Sequence, residues 1–407
     1  MDNKFKITKY ACYMTNVCMS IVACVSPILY VTFNEMYNIS YTLLGFLAVL
    51  CFGIQLIIDL IFSFFAKWFD ISKTVKLTPL ICFAGMMIYS VMPALFPQAA
   101  YLWIMVGIII SSISAGLCEV LISPVVAAIP SDNPDREMSF LHSVYGWGVV
   151  GVVILTTVLL TFIGRERWYI VSGLWGIVPL ITFVLFMRAK MPEVSVGVTS
   201  ERDTLPKGML LFVICIFLGG ASECTMTQWC SGFLEKSAGI PKIYGDIFGL
   251  AVFAFLLALG RTFYSKYGKN IYRTLILCMT GTALCYITAT LSGNPVISLL
   301  GCIFTGFSTS MLWPGSLIFM ENKYKNAGVT AYALMAAGGD AGGSVGPQLV
   351  GALADAVMAS NRGKELALNL SLTTEQLALK VGLLSATMFP VLGIILLLCM
   401  MKFAENK

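Results

Sequence analysis

RAKMPEVSVGVTSERDTLPKG, Arg188 to Gly208, interrupts an otherwise apolar chain. Its proline, glycine, serine and mixed charges are the composition of a linker. On either side lie apolar runs of about 20 residues, the length that crosses the hydrocarbon core of a bilayer. Six precede it, near 10–33, 41–66, 76–95, 100–130, 138–163 and 167–189. Six follow, near 208–234, 243–266, 271–292, 295–321, 325–357 and 376–402. Several exceed the minimum, so tilted helices that project beyond the lipid are expected. The sequence therefore predicts an all-α membrane protein of twelve transmembrane helices in two six-helix bundles, 1–189 and 208–407, joined by a linker at 190–207.

Composition supports a chain dissolved in lipid. Of 407 residues, 58% are hydrophobic and 12% charged, and the mean hydropathy is +0.86. A soluble domain carries about a quarter charged residues. The first apolar run is longer than a signal-peptide core and lacks a small-residue cleavage site, so it is expected to remain as the first span. Thirteen cysteines fall almost singly inside apolar runs, no CxxC pair occurs, and there is one histidine. These cysteines read as small hydrophobes, with neither a disulfide framework nor a metal site. The net charge of +5 comes from loop lysines and arginines, with no basic cluster suited to nucleic acid. No nucleophile–base pair, phosphate loop or soluble catalytic domain is present, which argues against an enzyme, and no cofactor is expected.

Orientation follows from basic residues in short loops. If both termini are cytoplasmic, the inner segments hold 19 of the 26 Lys and Arg, with Arg261, Lys266, Lys269 and Arg273 counted among them. The expected location is a cell membrane, crossed many times, with both ends inside. In the loop before the last run, LTTEQ reads as a helix start capped by Thr373 or Thr374.

Within the runs, four acids stand out: Asp59, Glu119, Glu223 and Asp340. An acid at membrane depth usually faces a bundle interior or wet cavity and marks an ion or substrate path. Asp59 follows Gln55 by four residues, so the two share a helix face. That face either lines a cavity or bonds to another helix. Glu119 has Ser123 one turn on and Pro124 just beyond. Proline removes a backbone donor and frees carbonyls that a cavity can use. An acid there can take and release a proton as the cavity opens and closes, or stay protonated between helices.

Run 5 opens with SFLHSVYGWGVVG, where His142 can bond a hydroxyl, relay a proton to an acid or sit at the interface. In run 7, GGASECTMTQWCSGF gathers Glu223, Thr227, Gln228 and Trp229. Carboxylate, amide and indole suit a sugar ring, with polar groups for hydroxyls and an aromatic face for C–H surface. The acid there could equally hold its helix against a neighbour. In run 10, SMLWPG sets Trp313 beside Pro314 near a helix break. In run 11, LMAAGGDAGGSVGPQLVG is rich in small residues suited to helix packing, which leaves Asp340 as the residue calling for another explanation.

Two six-helix halves and a cytoplasmic linker resemble the major facilitator superfamily, whose sites lie between the halves. LLALGRTFYSKYGKNIYR is similar to that superfamily's loop between the second and third helices of a half. The N-terminal counterpart, FFAKWFDISKTVK, departs from it, with Lys67 where an aspartate is usual. Finer motifs resemble the fucose permease-like sugar:cation symporters: CEVLISPVV in run 4, FLHSVYGWG in run 5, GGASECTMTQW in run 7 and GGSVGPQLVG in run 11. The resemblance implies proton- or sodium-coupled sugar uptake by alternating access, with Glu119 as the coupling carboxyl. Some members of that branch carry a further acid in the first span, where this chain offers Asn16; Asp59 is the candidate replacement.

The expected function is a monomeric secondary transporter that imports a sugar or similar polyhydroxylated solute with a proton. Glu119 and Asp59 would couple, and Gln55, Glu119, His142, Glu223, Gln228, Trp229 and Asp340 would bind solute. A multidrug exporter on the same fold and a transport-dead membrane sensor are the rival readings.

Overall fold

A computed structural model describes residues 3–65, 68–131, 134–193, 208–324 and 329–405. Lys67 and most of the 190–207 linker fall outside these residues. The described chain is helical, without a strand. Before the linker come α1 (Lys6–Tyr37), α2 (Tyr41–Phe65), α3 (Ile71–Leu95), α4 (Ala100–Ala127), α5 (Pro134–Ile163), α6 (Trp168–Trp175) and α7 (Ile177–Arg188). After it come α8 (Met209–Lys236), α9 (Lys242–Tyr244), a π-helical turn (Gly245–Ala251), α10 (Val252–Tyr267), α11 (Ile271–Leu291), α12 (Pro295–Thr309) and α13 (Leu312–Lys323). The last are α14 (Val329–Ala359), α15 (Asn361–Asn369), α16 (Thr374–Ser385) and α17 (Met388–Glu405).

Eleven helical segments among the described residues are long and apolar enough to cross a membrane. Their bounds fall within a few residues of the predicted runs. The 31-residue α14 occupies the remaining predicted span, its apolarity diluted by glycine and by Asp340, Gln348 and Asp355. This is the predicted twelve-span, all-α fold.

Among the described residues, three spans break just before a proline, and each of these breaks obeys one rule. α7, α13 and α17 begin at Ile177, Leu312 and Met388, so Pro179, Pro314 and Pro390 each stand third in a new helix. There the missing proline N–H has no intrahelical partner to lose. Prolines deeper in a helix, such as Pro27, Pro124 and Pro347, stay inside continuous elements. Thr373 caps α16 in a full capping box with Gln376, as the sequence indicates. The loop before it contains α15, an addition to the predicted elements.

The chain divides into two compact units, Met1–Thr32 with Ile54–Glu201, and Phe33–Gly53 with Arg202–Lys407. In the first, α3 packs along α4, and Ser114 Oγ donates to the Thr78 carbonyl at 2.9 Å. Asn16 ties α1 to two helices: its amide donates to the Leu141 carbonyl of α5 at 2.8 Å and its oxygen accepts from Cys118 Sγ of α4 at 3.5 Å.

In the second unit α8 and α14 form the central pair. Gly338, Gly342 and Gly346 recur at four-residue spacing along α14, and a Cβ on any of them would run into Val213, Phe217 or Thr225 of α8. The run of small residues is thus a packing surface. Phe33–Gly53 joins this unit because Asp355 of α14 accepts the backbone N–H groups of Tyr41 at 3.1 Å and Thr42 at 2.7 Å. A carboxylate there satisfies unpaired donors at the α2 N-terminus and complements its dipole. At the far end of α11, Lys380 of α16 donates to the carbonyls of Thr290 at 3.0 Å and Ser292 at 2.8 Å.

Candidate functional site

In the first unit the acids of two helices meet. Gln55 and Asp59 are 5% and 4% exposed on α2. Glu119 of α4 is half-buried, and a carboxylate oxygen of each acid lies within 4.8 Å of the other. The approach depends on Gly116, where a Cβ would fall 2.9 Å from the Ile58 Cβ and 3.2 Å from the Gln55 Cα. Glycine one turn before Glu119 lets the two backbones close until their carboxyl groups face. Two ionised carboxylates at that separation repel strongly where water is scarce. Carboxylate oxygens are also hard ligands that suit a cation. Pro124 follows Glu119 inside α4, which continues past it to Ala127. His142 lies in α5, and its side chain is outside the described residues.

In the second unit the candidates take different surroundings. Glu223 of α8 is ion-paired with Arg261 of α10, whose Nη2 lies 3.1 Å and 3.4 Å from its two oxygens. The same guanidinium donates from Nε to the Ser310 carbonyl at 3.1 Å. That carbonyl stands in the break between α12 and α13, so Arg261 joins an acid to a freed backbone acceptor. Trp229 is 1% exposed, its indole N–H donating to the Pro347 carbonyl at 2.9 Å and its ring meeting Tyr41 edge-on at 5.8 Å. Its indole holds α8 against α14. Gln228 is buried at 5% and Asp340 of α14 at 3%.

Several ionic groups escaped the sequence reading. Arg261, counted with the loop charges, lies inside the membrane-length segment Lys242–Tyr264. Lys242 and Asp246 in that segment form a buried pair at 3.0 Å, with side chains 6% and 0% exposed. Both also bond Ser231 of α8. The signal was available: Lys242 and Asp246 are four residues apart, one turn of a helix, at the start of an apolar run.

The match to known families now decides the class. A family model described as the Major Facilitator Superfamily matches residues 11–347. The chain belongs to the major facilitator superfamily. It is accordingly a membrane transporter rather than an enzyme. No curated protein matches it in sequence. Among solved structures, a bacterial homologue of the human lysosomal transporter Spinster, in an inward-facing and occupied conformation, has 13% identity and a TM-score of 0.73, covering 96% of each chain. A point mutant of the nucleoside transporter NupG has 13% identity and a TM-score of 0.69, covering 95% of this chain and 99% of its own. A D-xylose–proton symporter has 14% identity and a TM-score of 0.67, covering 94% of this chain and 96% of its own. What this superfamily member shares with them is the fold.

Proposed function

We propose that this superfamily member is a proton-coupled symporter, importing a sugar or similar polyhydroxylated solute through the cell membrane by alternating access. It acts as a monomer with both termini cytoplasmic, on the fucose permease-like branch, its two halves 1–189 and 208–407 moving about the 190–207 linker. The observation that carries the reading is the carboxyl pair of Asp59 and Glu119, within 4.8 Å on two helices of one unit. Bringing the pair together favours holding a proton; separating or wetting it favours release. A transporter that alternates between such states ties proton movement to solute movement. Gln55, beside the pair on α2, supplies a hydrogen-bonding amide to the solute, with His142 from α5. Gln228 and Asp340 supply polar groups from the other half, while Glu223, paired with Arg261, and Trp229 keep α8 in place for them.

The test is uptake into proteoliposomes driven by an imposed pH gradient, with a panel of sugars and, as non-sugar controls, nucleosides. For the solute that is taken up, Glu119→Gln should abolish gradient-driven accumulation while leaving solute exchange across the membrane. Accumulation that survives the change sinks the coupling role. Accumulation that follows a sodium gradient instead assigns the pair to that cation, and drug-dependent proton release identifies an exporter.

A further inference from the structure

A cleft on the second unit has none of these acids in its lining. α10 and α11 are consecutive helices, yet each packs on α12 and scarcely on the other. The gap between them, floored by α12, encloses about 330 Å³. Its walls are apolar, with Phe263, Leu277 and Phe307 among them, and these three side chains are 56%, 72% and 41% exposed. Gly268 and Lys269, in the turn between α10 and α11, are part of its lining. Tyr264 and Tyr267 also line it, rings that place an apolar body in lipid and a hydroxyl toward the headgroups.

The segment that forms this cleft carries charge of one sign. From Ile247 to Met320 the sequence holds Arg261, Lys266, Lys269 and Arg273 and no aspartate or glutamate. Arg261 is engaged with Glu223 and Ser310. Lys269 lines the cleft, and the exposed Lys266 and Arg273 flank it in sequence. An apolar slot lined at one turn by a lysine, with two further exposed cations within four residues of it in sequence, matches a molecule with a hydrocarbon tail and an anionic head.

We infer that the α10–α11 cleft is a binding site for an anionic phospholipid. One acyl chain lies against Phe263, Leu277 and Phe307, and the phosphate sits at the turn among Lys266, Lys269 and Arg273. In the proposed orientation this turn lies at the cytoplasmic leaflet, where anionic lipids concentrate. Because α12 is the floor and leads directly to the break that Arg261 holds, the bound lipid braces the helix beside the Glu223–Arg261 pair.

The experiment uses phosphatidylglycerol and phosphatidylcholine carrying the same photoreactive acyl chain, with the full-length protein in vesicles. Phosphatidylglycerol should label the peptides bearing Phe263 and Leu277 severalfold more than phosphatidylcholine. Each of Lys266→Gln, Lys269→Gln and Arg273→Gln should lower that labelling roughly fivefold, since one basic residue near a membrane surface is worth about 1 kcal/mol. Lys73→Gln and Lys76→Gln, basic residues of α3, should leave it unchanged. A second readout is the thermal transition of the wild type, which phosphatidylglycerol should raise and inorganic phosphate should not. Equal labelling by the two lipids, labelling that survives the triple substitution, or a phosphate effect equal to that of the lipid would overturn the assignment.

Discussion

Acids at membrane depth meet two different fates in this chain. Glu119 faces another acid, Asp59, within 4.8 Å; Glu223 faces the guanidinium of Arg261 at 3.1 Å. An acid beside an acid gains by holding a proton, and loses that gain when the two are drawn apart. An acid beside a guanidinium is already neutralised, and a proton would have to displace a charge-assisted, two-oxygen contact. The same residue type is therefore proposed as a switch in one unit and stands as a brace in the other. In this account coupling belongs to the first pair and positioning to the second.

The largest effect that would break the contrast is on transport. Asp59→Asn and Glu119→Gln should each abolish accumulation driven by a pH gradient, and the two together should do no more than either alone, because one shared proton can be lost only once. Additive losses, each partial, would mean that the acids act separately.

Stability sharpens the other side. The Lys242–Asp246 pair is almost wholly buried, so Asp246→Asn leaves an unmatched cation and should destabilise by about 3–5 kcal/mol. It is the reference for a purely structural pair: its unfolding transition should fall steeply, while the pH dependence of transport by the folded fraction stays that of the wild type. Arg261 is 38% exposed, so solvent screens its pair, and Glu223→Gln should cost about 1–2 kcal/mol. Adding Arg261→Gln should restore part of that loss in a double-mutant cycle. No coupling energy in the cycle would remove Glu223 from the structural class.

The smallest effect concerns α3. Asp70, at its N-cap, accepts the Lys73 backbone N–H at 3.0 Å, and the Lys73 N–H and ammonium hold its carboxyl below the usual carboxylate range. A lowered value means that the cap is in place at neutral pH and is lost as pH falls through the lowered value. Amide protection factors in the first turn of α3, taken relative to the intrinsic exchange rate at each pH, should fall on that acidification and stay constant in Asp70→Asn.

The spans were legible because a bilayer imposes one length and one composition on every crossing segment. The capping box at Thr373 was legible because its chemistry is local. Contacts between helices were not. Nothing in the linear pattern pairs Glu223 with Arg261, which stands near the end of its run and reads as an anchor charge. The proximity of Asp59 and Glu119 rests on Gly116, one of 36 glycines in the chain. Trp229 reads as a stacking surface in sequence because indole serves packing and sugars alike; only its bond to Pro347 separates the two roles. α15 was missed because a nine-residue amphipathic helix has too few turns to stand out from a polar loop.

The central claim is that Asp59 and Glu119 share the transported proton, and solute-driven proton movement tests it most directly. Adding the transported solute to de-energised vesicles that contain the wild-type protein should alkalinise the medium as protons enter with it. With Asp59→Asn or Glu119→Gln the solute should still equilibrate, with no pH change. A wild-type-sized pH change in either variant would contradict the account.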